Sequence, residues 1–540
     1  MTIWDAMTDP STLGREIWEW DGGRFQRGTY GDLLADARRA AAALRKKGVG
    51  PGSIVAGVLT NGPGTTRAAM GVLFTGAKFA SLPIIARGMT VPAYVAQLSK
   101  LCEHLDAACL LAEERFLAFM PAGADLGVEV IGYHSLLENA DMAAIDPPAL
   151  EDVIFIQFSS GTTGDPRGAQ LTAAAIEAQL VALAERLSID ATHDIGYMWL
   201  PLSHDMGIFG GAFLAWYAGM RAVGSTPERF LQSPRSWFDD CAEFGATVTA
   251  GPPSALDMAA RVELRSSGRP LRLRLCLVGA EMVEWSVLER AASAFASRGL
   301  GIEKFTTAYG LAEATLAATV GDLDRAPDFL DVDSDALALG TVRELDASNP
   351  RGRRLVSAGT SLANATISID SMSGEIVVQS SSLASGYFSN NEATQAHFQD
   401  GAFRTSDLGF IHDDHLYISA RSDDVVIVNG RNIFVHELEA SLGAALGIRD
   451  GSCALVQETG QGRRRVSLVA EIIHSQVDTR ELAARLRRLS METAGLPVDE
   501  FVFLPTGTFP MTPSGKVQRY RCREIVRKQE LGMRVAMVSR

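Results

Sequence analysis

The chain has 540 residues, 47% hydrophobic, 21% charged and 7% aromatic, a globular balance that excludes extensive disorder. At about 150 residues per domain, more than one domain is expected. Acidic residues number 64 and basic residues 50, a net charge of −14 that argues against nucleic acid as a partner.

The N-terminus, MTIWDAMTDPST, lacks the apolar core of a signal peptide. Leu33, Leu34, Ala37, Ala40, Ala41 and Leu44 recur at helical spacing and predict a helix over 30–47. Gly48-Val-Gly-Pro-Gly-Ser53 then breaks it. A dinucleotide-binding glycine loop follows a strand and precedes a helix, whereas this one does the reverse, so it reads as a plain turn. A strand over 54–59, a helix over 65–75 and a strand over 80–85 follow. The alternation runs on through a strand at 273–278, the pattern of an α/β fold with largely parallel sheets. The uncharged stretch from Met206 to Met220 is too short to span a bilayer and reads as a buried element, so no membrane span is expected.

From about residue 355 the pattern shifts to short β-like runs at 365–369, 375–379, 415–419 and 425–428. The last segment, 431–540, reads helix, strand, helix, strand, with an amphipathic helix near 481–493. The fold class expected is α/β: a large N-terminal domain, 1–420, of parallel-sheet α/β subdomains plus a β-rich subdomain, then a small α+β C-terminal domain, 421–540. The six cysteines form no CxxC pair, which points to reduced thiols and a cytoplasmic location.

The most informative segment is Ser159-Ser-Gly-Thr-Thr-Gly-Asp-Pro-Arg-Gly168, after an apolar strand at 153–158 that only Gln157 interrupts. Its glycines and hydroxyls suit a loop that surrounds a phosphate, although such a run taken alone is equally a surface turn. It does not fit GxxxxGK[ST]. Five more motifs follow in order: Trp199-Leu-Pro-Leu-Ser-His-Asp-Met-Gly207, Ala308-Tyr-Gly-Leu-Ala-Glu-Ala-Thr315, Phe403-Arg-Thr-Ser-Asp-Leu-Gly409, Ala420-Arg-Ser-Asp-Asp-Val425 and Thr512-Pro-Ser-Gly-Lys-Val-Gln-Arg519.

Together these motifs closely resemble the acyl-adenylate-forming enzymes, the superfamily of acyl-CoA synthetases, nonribosomal adenylation domains and luciferases. The resemblance covers nearly the whole chain. Within it, WLPLSHDMGIFGG, AYGLAEATL and Asn429-Gly-Arg-Asn432 look like the fatty acyl-AMP ligase branch, and Asp331–Arg354 looks like the insertion that marks that branch.

The resemblance implies an ATP-dependent ligase in which a carboxylate attacks the α-phosphate of ATP and the acyl group then passes to a pantetheine thiol. The implied cofactors are ATP/AMP, Mg²⁺ and CoA or phosphopantetheine, and the implied partners are an apolar acid or its acyl-adenylate and CoA or an acyl carrier protein. Both reactants of the first step are anions, so positive charge must sit where negative charge builds up. By resemblance, Ser159, Ser160, Gly161, Thr162, Thr163, Gly164 and Arg167 hold the phosphates. Glu313 holds the metal, Tyr309 and Gly310 meet the adenine beside Gly279, Ala280 and Glu281, Asp407 meets the ribose, and Arg421 meets the ribose or a phosphate. Lys516 bridges the carboxylate and the α-phosphate, as a compact ammonium on a long stem can. As lone residues, Lys516 and Arg421 would read as solvated surface cations, and Tyr309 as core packing. Asp423 matches the hinge about which a mobile C-terminal domain rotates. His204 lines or gates the acyl pocket, with Gly207, Gly210 and Gly211 leaving room beside it.

Three positions depart from the pattern: Arg167 replaces a lysine, and Ser406 and Ala420 replace glycines. The segment Ile433–Glu439 also differs from the branch. Two alternatives therefore stand beside the first expectation. One is a variant that only converts preformed acyl-AMP to the thioester; the other is a fatty acyl-AMP ligase that loads only a carrier protein. With a net charge of −14 on the whole, the cleft is expected to be locally positive around Arg167, Arg421 and Lys516.

Overall fold

The computed structural model describes the whole chain except residues 1, 86–88, 115, 117–124, 139–140, 159–165, 264–267, 339–340, 347–348, 350–351, 429–430, 446, 461–462, 474–476, 512–516, 531–536 and 540.

Continuous apolar runs become buried central strands, because a sheet covered by helices on both faces leaves no polar side. Ile54–Val58 is buried along its whole length and pairs in parallel with Lys78–Leu82 and Cys109–Ala112. A six-stranded sheet grows from these, with Val153–Phe158 joining in parallel and Gly168–Thr172 closing one edge antiparallel. Helix Tyr30–Lys46 covers it, started by a capping box in which Thr29 and Asp32 satisfy each other's backbone amides. Gly48 and Gly52 take φ of +84° and +89°, the turn expected after this helix.

A second sheet has nine strands. Its centre is parallel: Phe305–Gly310, Leu275–Val278, Val248–Gly251, Ile195–Met198, Arg221–Gly224 and Glu16–Trp20. Antiparallel strands close both edges. A third, antiparallel sheet holds Ala365–Ile369, Glu375–Ser380, Ala402–His412 and His415–Arg421. The segment from Met206 is a buried helix, as its apolar run implies, but Ile208–Phe213 within it is wound as a π-helix. The arms of Asp331–Arg354 lie in a hairpin of Phe329–Asp333 with Gly352–Val356, joined by an Asp331–Arg354 ion pair.

Beyond residue 421 the order differs from the sequence reading. A ribbon of Val425–Val428 with Arg431–Phe434 precedes the first helix, Val435–Gly443. Ile448–Gly460, Arg463–Ile472, Glu500–Leu504 and Met537–Ser539 form a four-stranded sheet. The amphipathic helix spans Thr479–Ala494, and the basic tail contains a further helix, Arg519–Glu530. Two apolar clusters, around Leu468 and around Val502, are built entirely from residues beyond 425. All six cysteines are buried and free of disulfides. Among the described residues no helix is long and apolar enough to cross a membrane.

Candidate active site

Loops at the ends of the strands meet in one cavity of about 1210 Å³. Its lining includes Arg167, His204, Gly210, Gly211, Gly279, Ala280, Glu281, Tyr309, Gly310, Glu313, Asp407 and Arg421, brought together from across the sequence. Gly207 is absent from the lining. It packs where a Cβ would lie 2.0 Å from the Pro201 carbonyl oxygen, so glycine there serves close backbone approach, not open space.

Strand Phe305–Gly310 ends in a register shift that delivers Tyr309 and the turn Ala312–Ala314. Gly310 admits no side chain, since a Cβ would stand 1.7 Å from the Leu316 carbonyl oxygen. The buried Tyr309 hydroxyl donates to Asp407 Oδ2 at 2.6 Å. Arg421 Nε lies 3.1 Å from Asp407 Oδ1, because the two residues face each other across antiparallel strands. A carboxylate has about four lone-pair positions, so Asp407 keeps capacity for further donors. Burial, then the charge of Asp407, raises the Tyr309 phenol well above its usual value, so it stays a donor.

Ser406 lies in the left-handed region at φ +62°, which gives a physical reason for the glycine that the motif carries there. Replacing Ser406 with glycine is expected to stabilise the chain by about 0.5–1 kcal/mol, the relief of left-handed strain less the added unfolded-state entropy. Denaturant midpoints of the two proteins measure this. No gain would show that the backbone hydrogen bond from Ser406 to Glu375 already absorbs the strain.

Gly279 is pinned by backbone, with a Cβ position 2.7 Å from the Ala308 carbonyl oxygen. Ala280 turns through φ +67°, and Glu281 is held by the amide and hydroxyl of Ser254 at 3.1 and 3.0 Å. Glu313 points into the cavity, and burial raises its carboxyl pKa above the usual value. Its Oε1 accepts from the Tyr387 hydroxyl at 2.7 Å, and the charge of Asp205 is felt nearby. His204 caps the short helix Asp205–Gly207, with Nδ1 2.6 Å from Asp205 Oδ1. The cavity continues beside the π-helix, where Gly211 lets the Met198 side chain come within 2.5 Å of its Cβ position. Its lining also includes the apolar side chains of Ile17, Tyr30, Leu33, Leu183 and Leu187.

Ser159, Ser160, Gly161, Thr162, Thr163, Gly164 and Lys516 lie outside the described residues, as does the side chain of Asp423, whose backbone belongs to the turn Ser422–Asp424. Their described neighbours Phe158, Arg167, Val517 and Arg519 all line the cavity. Sequence reasoning missed Tyr387 and His397, which line it beside Arg167. Only the Gly386-Tyr-Phe388 turn, with Gly386 at φ +139°, marks the place.

Among the described residues the lining holds nine Asp/Glu against six Arg, while Lys516, on which the expectation of a locally positive cleft partly rests, lies outside them. Arg421 is matched by Asp407, so its charge does not add to a positive surface. A half-buried carboxylate in an acid-rich cleft is a donor set that suits a hard divalent cation.

An AMP-binding enzyme family model matches residues 12–388, well over half of the chain. Rv1013 of Mycobacterium tuberculosis, provisionally named a ligase, is 29% identical over 516 residues, 91% of this chain and 93% of that protein. The long-chain-fatty-acid–AMP ligase FadD32 of Mycolicibacterium smegmatis is 28% identical over 437 residues, 70% of this chain and 69% of its own. A solved structure from studies of fatty acyl-adenylate ligases of E. coli and L. pneumophila superposes with a TM-score of 0.87 over 98% of both chains, at 23% identity, a likeness of fold. With the motifs in order and this architecture around one cleft, the chain belongs to the AMP-binding enzyme family of the acyl-adenylate-forming superfamily.

Proposed function

We propose that the chain is an acyl-activating ligase for an apolar carboxylic acid. The carboxylate attacks the α-phosphorus of ATP, pyrophosphate leaves, and acyl-AMP forms. A pantetheine thiol then attacks the acyl carbon and AMP leaves. The observation that carries this reading is the convergence of Tyr309, Glu313, Asp407, Arg421 and His204 on one cavity whose lining is in part apolar. The FadD32 relative, named as a fatty-acid–AMP ligase, supports the choice of acid.

In this reading Tyr309 offers an aromatic face to adenine, with Gly279, Ala280 and Glu281 beside it. Asp407, already oriented by Tyr309 and Arg421, accepts from the ribose hydroxyls. Arg167 and the loop 159–164 hold the phosphates. Glu313 would hold Mg²⁺, which neutralises phosphate charge when bound. Lys516 meets the carboxylate and the α-phosphate. His204, Gly210 and Gly211 line the acyl part of the cavity together with apolar side chains such as Leu214 and Met220.

The division falls at 420/421, with Asp423 as hinge. Strand His415–Arg421 ends there, and the clusters beyond 425 give the C-terminal part its own core. The thiol belongs to CoA or to a carrier protein, whose pantetheine arms present the same chemistry.

ATP–pyrophosphate exchange across saturated acids of graded length tests the first step. Exchange with apolar acids and none with free amino acids is expected. ATP binding without exchange for any acid overturns adenylation. Synthetic acyl-AMP offered with CoA, and separately with holo-carrier protein, identifies the acceptor. No thioester with either overturns the second step.

A further inference from the structure

Arg167 stands where the motif carries lysine, and the structure gives it two partners. Its Nη1 lies 3.1 Å from His397 Nε2, and its guanidinium carbon is 5.5 Å from the centre of the Tyr387 ring. His397 Nδ1 is 3.0 Å from the Arg404 carbonyl oxygen, which can only accept. The proton of a neutral ring therefore sits on Nδ1, and Nε2 turns its lone pair to Arg167. The hydroxyl of the same Tyr387 donates to Glu313. One tyrosine thus touches the phosphate-loop cation with its face and the half-buried Glu313 carboxylate with its tip.

The backbone holds the same arrangement. Ala384 N donates to the Glu313 carbonyl at 2.7 Å. Gln170 N donates to the Gly386 carbonyl at 2.9 Å, and Phe388 N to the Gly168 carbonyl at 2.8 Å. Tyr387 bridges Ala169 antiparallel between them. Residues 384–388 are therefore fastened to Glu313 on one side and to the strand leaving the phosphate loop on the other.

We propose that Tyr387 and His397 are positioning residues that set Arg167 and Glu313 as one unit, and that arginine is the working cation of this phosphate loop because of them. The inference rests on the reading that the phosphates of ATP occupy that loop. A guanidinium can lay its face on Tyr387, give one N–H to His397 and still offer others to a phosphate oxygen. An ammonium is a point charge on a flexible stem and cannot do all three. A cation held before the ligand arrives loses less freedom on binding.

The test is calorimetric binding of MgATP to the full-length chain, with exchange kinetics in parallel. The proteins are wild type, R167K, H397L, H397Q and the R167K/H397L double variant. R167K and H397L are each expected to weaken ATP binding about tenfold, the loss of one hydrogen bond to a charged group. The double variant should bind no worse than either single one, since both remove the same interaction. H397Q, whose side-chain oxygen can accept from Arg167, should stay near wild type. KM for ATP should rise while KM for the acid holds. R167K binding ATP as well as wild type, or losses that multiply in the double variant, overturns the inference. Binding of ATP without exchange would sink the adenylation reading and leave the binding cycle to decide the positioning. Exchange with no coupling would sink the positioning alone, and a wild type that does not bind ATP would overturn both.

Discussion

Replacing Glu313 with glutamine is expected to lower the exchange rate by about 10²–10³, while making the ligand-free protein more stable at pH 8. The two effects share one cause. Burial raises the Glu313 pKa, so its ionised form is costly to keep in the folded chain. A raised carboxyl pKa contributes stability below the unfolded value and loses it as pH rises through the folded value. Glutamine is neutral throughout and still accepts from the Tyr387 hydroxyl. Its advantage should therefore be full above the folded pKa and vanish below the unfolded one. Denaturant midpoints from pH 4 to 8 measure the stability effect, and exchange at saturating magnesium measures the catalytic one. A variant that exchanges like wild type would remove Glu313 from the metal site, and one that is less stable at pH 8 would overturn the burial argument.

Lys516→Ala is expected to separate the two half-reactions. Loss of a cation that meets charge developing in the transition state should cost adenylation about 10²–10³. Thioester formation from synthetic acyl-AMP should stay within about twofold, because in the proposed function that step does not use the residue. Equal losses in both steps would point to a damaged fold of the C-terminal part. No loss in either would end the catalytic assignment of Lys516.

The sequence made the frame legible where burial is complete. The strands at 54–58 and 153–158 fall within a residue of expectation, because continuous apolar runs have one use in a parallel sheet. The helix ending at Lys46 was equally plain, closed by Gly48. Beyond residue 421 the reading weakened. The ribbon at 425–434 has no period of its own, and the helix Arg519–Glu530 is so charged that it reads as a solvated tail. At the site, motifs located Tyr309, Glu313 and Asp407, but their mutual contacts are tertiary. Tyr387 and His397 reach Arg167 only because a backbone segment crosses the strand at 168–172, and no local pattern encodes that crossing. The charge around the cleft is tertiary in the same way: Arg167 and Arg421 are visible in motifs, while the acids that folding brings beside them are not.

The apolar lining of the cavity carries a separate consequence. It includes Ile17, Tyr30 and Leu33, which belong to the first strand of the nine-stranded sheet and the helix that follows its hairpin partner. In the proposed reading the reacting atoms are handled by the loop 159–164 and by residues beyond it, so part of the wall that measures the acid comes from a separate, earlier stretch of the chain. Chain-length preference can then drift through changes in the opening thirty-odd residues while the chemistry stays fixed. Relatives that share every nucleotide contact need not share a substrate.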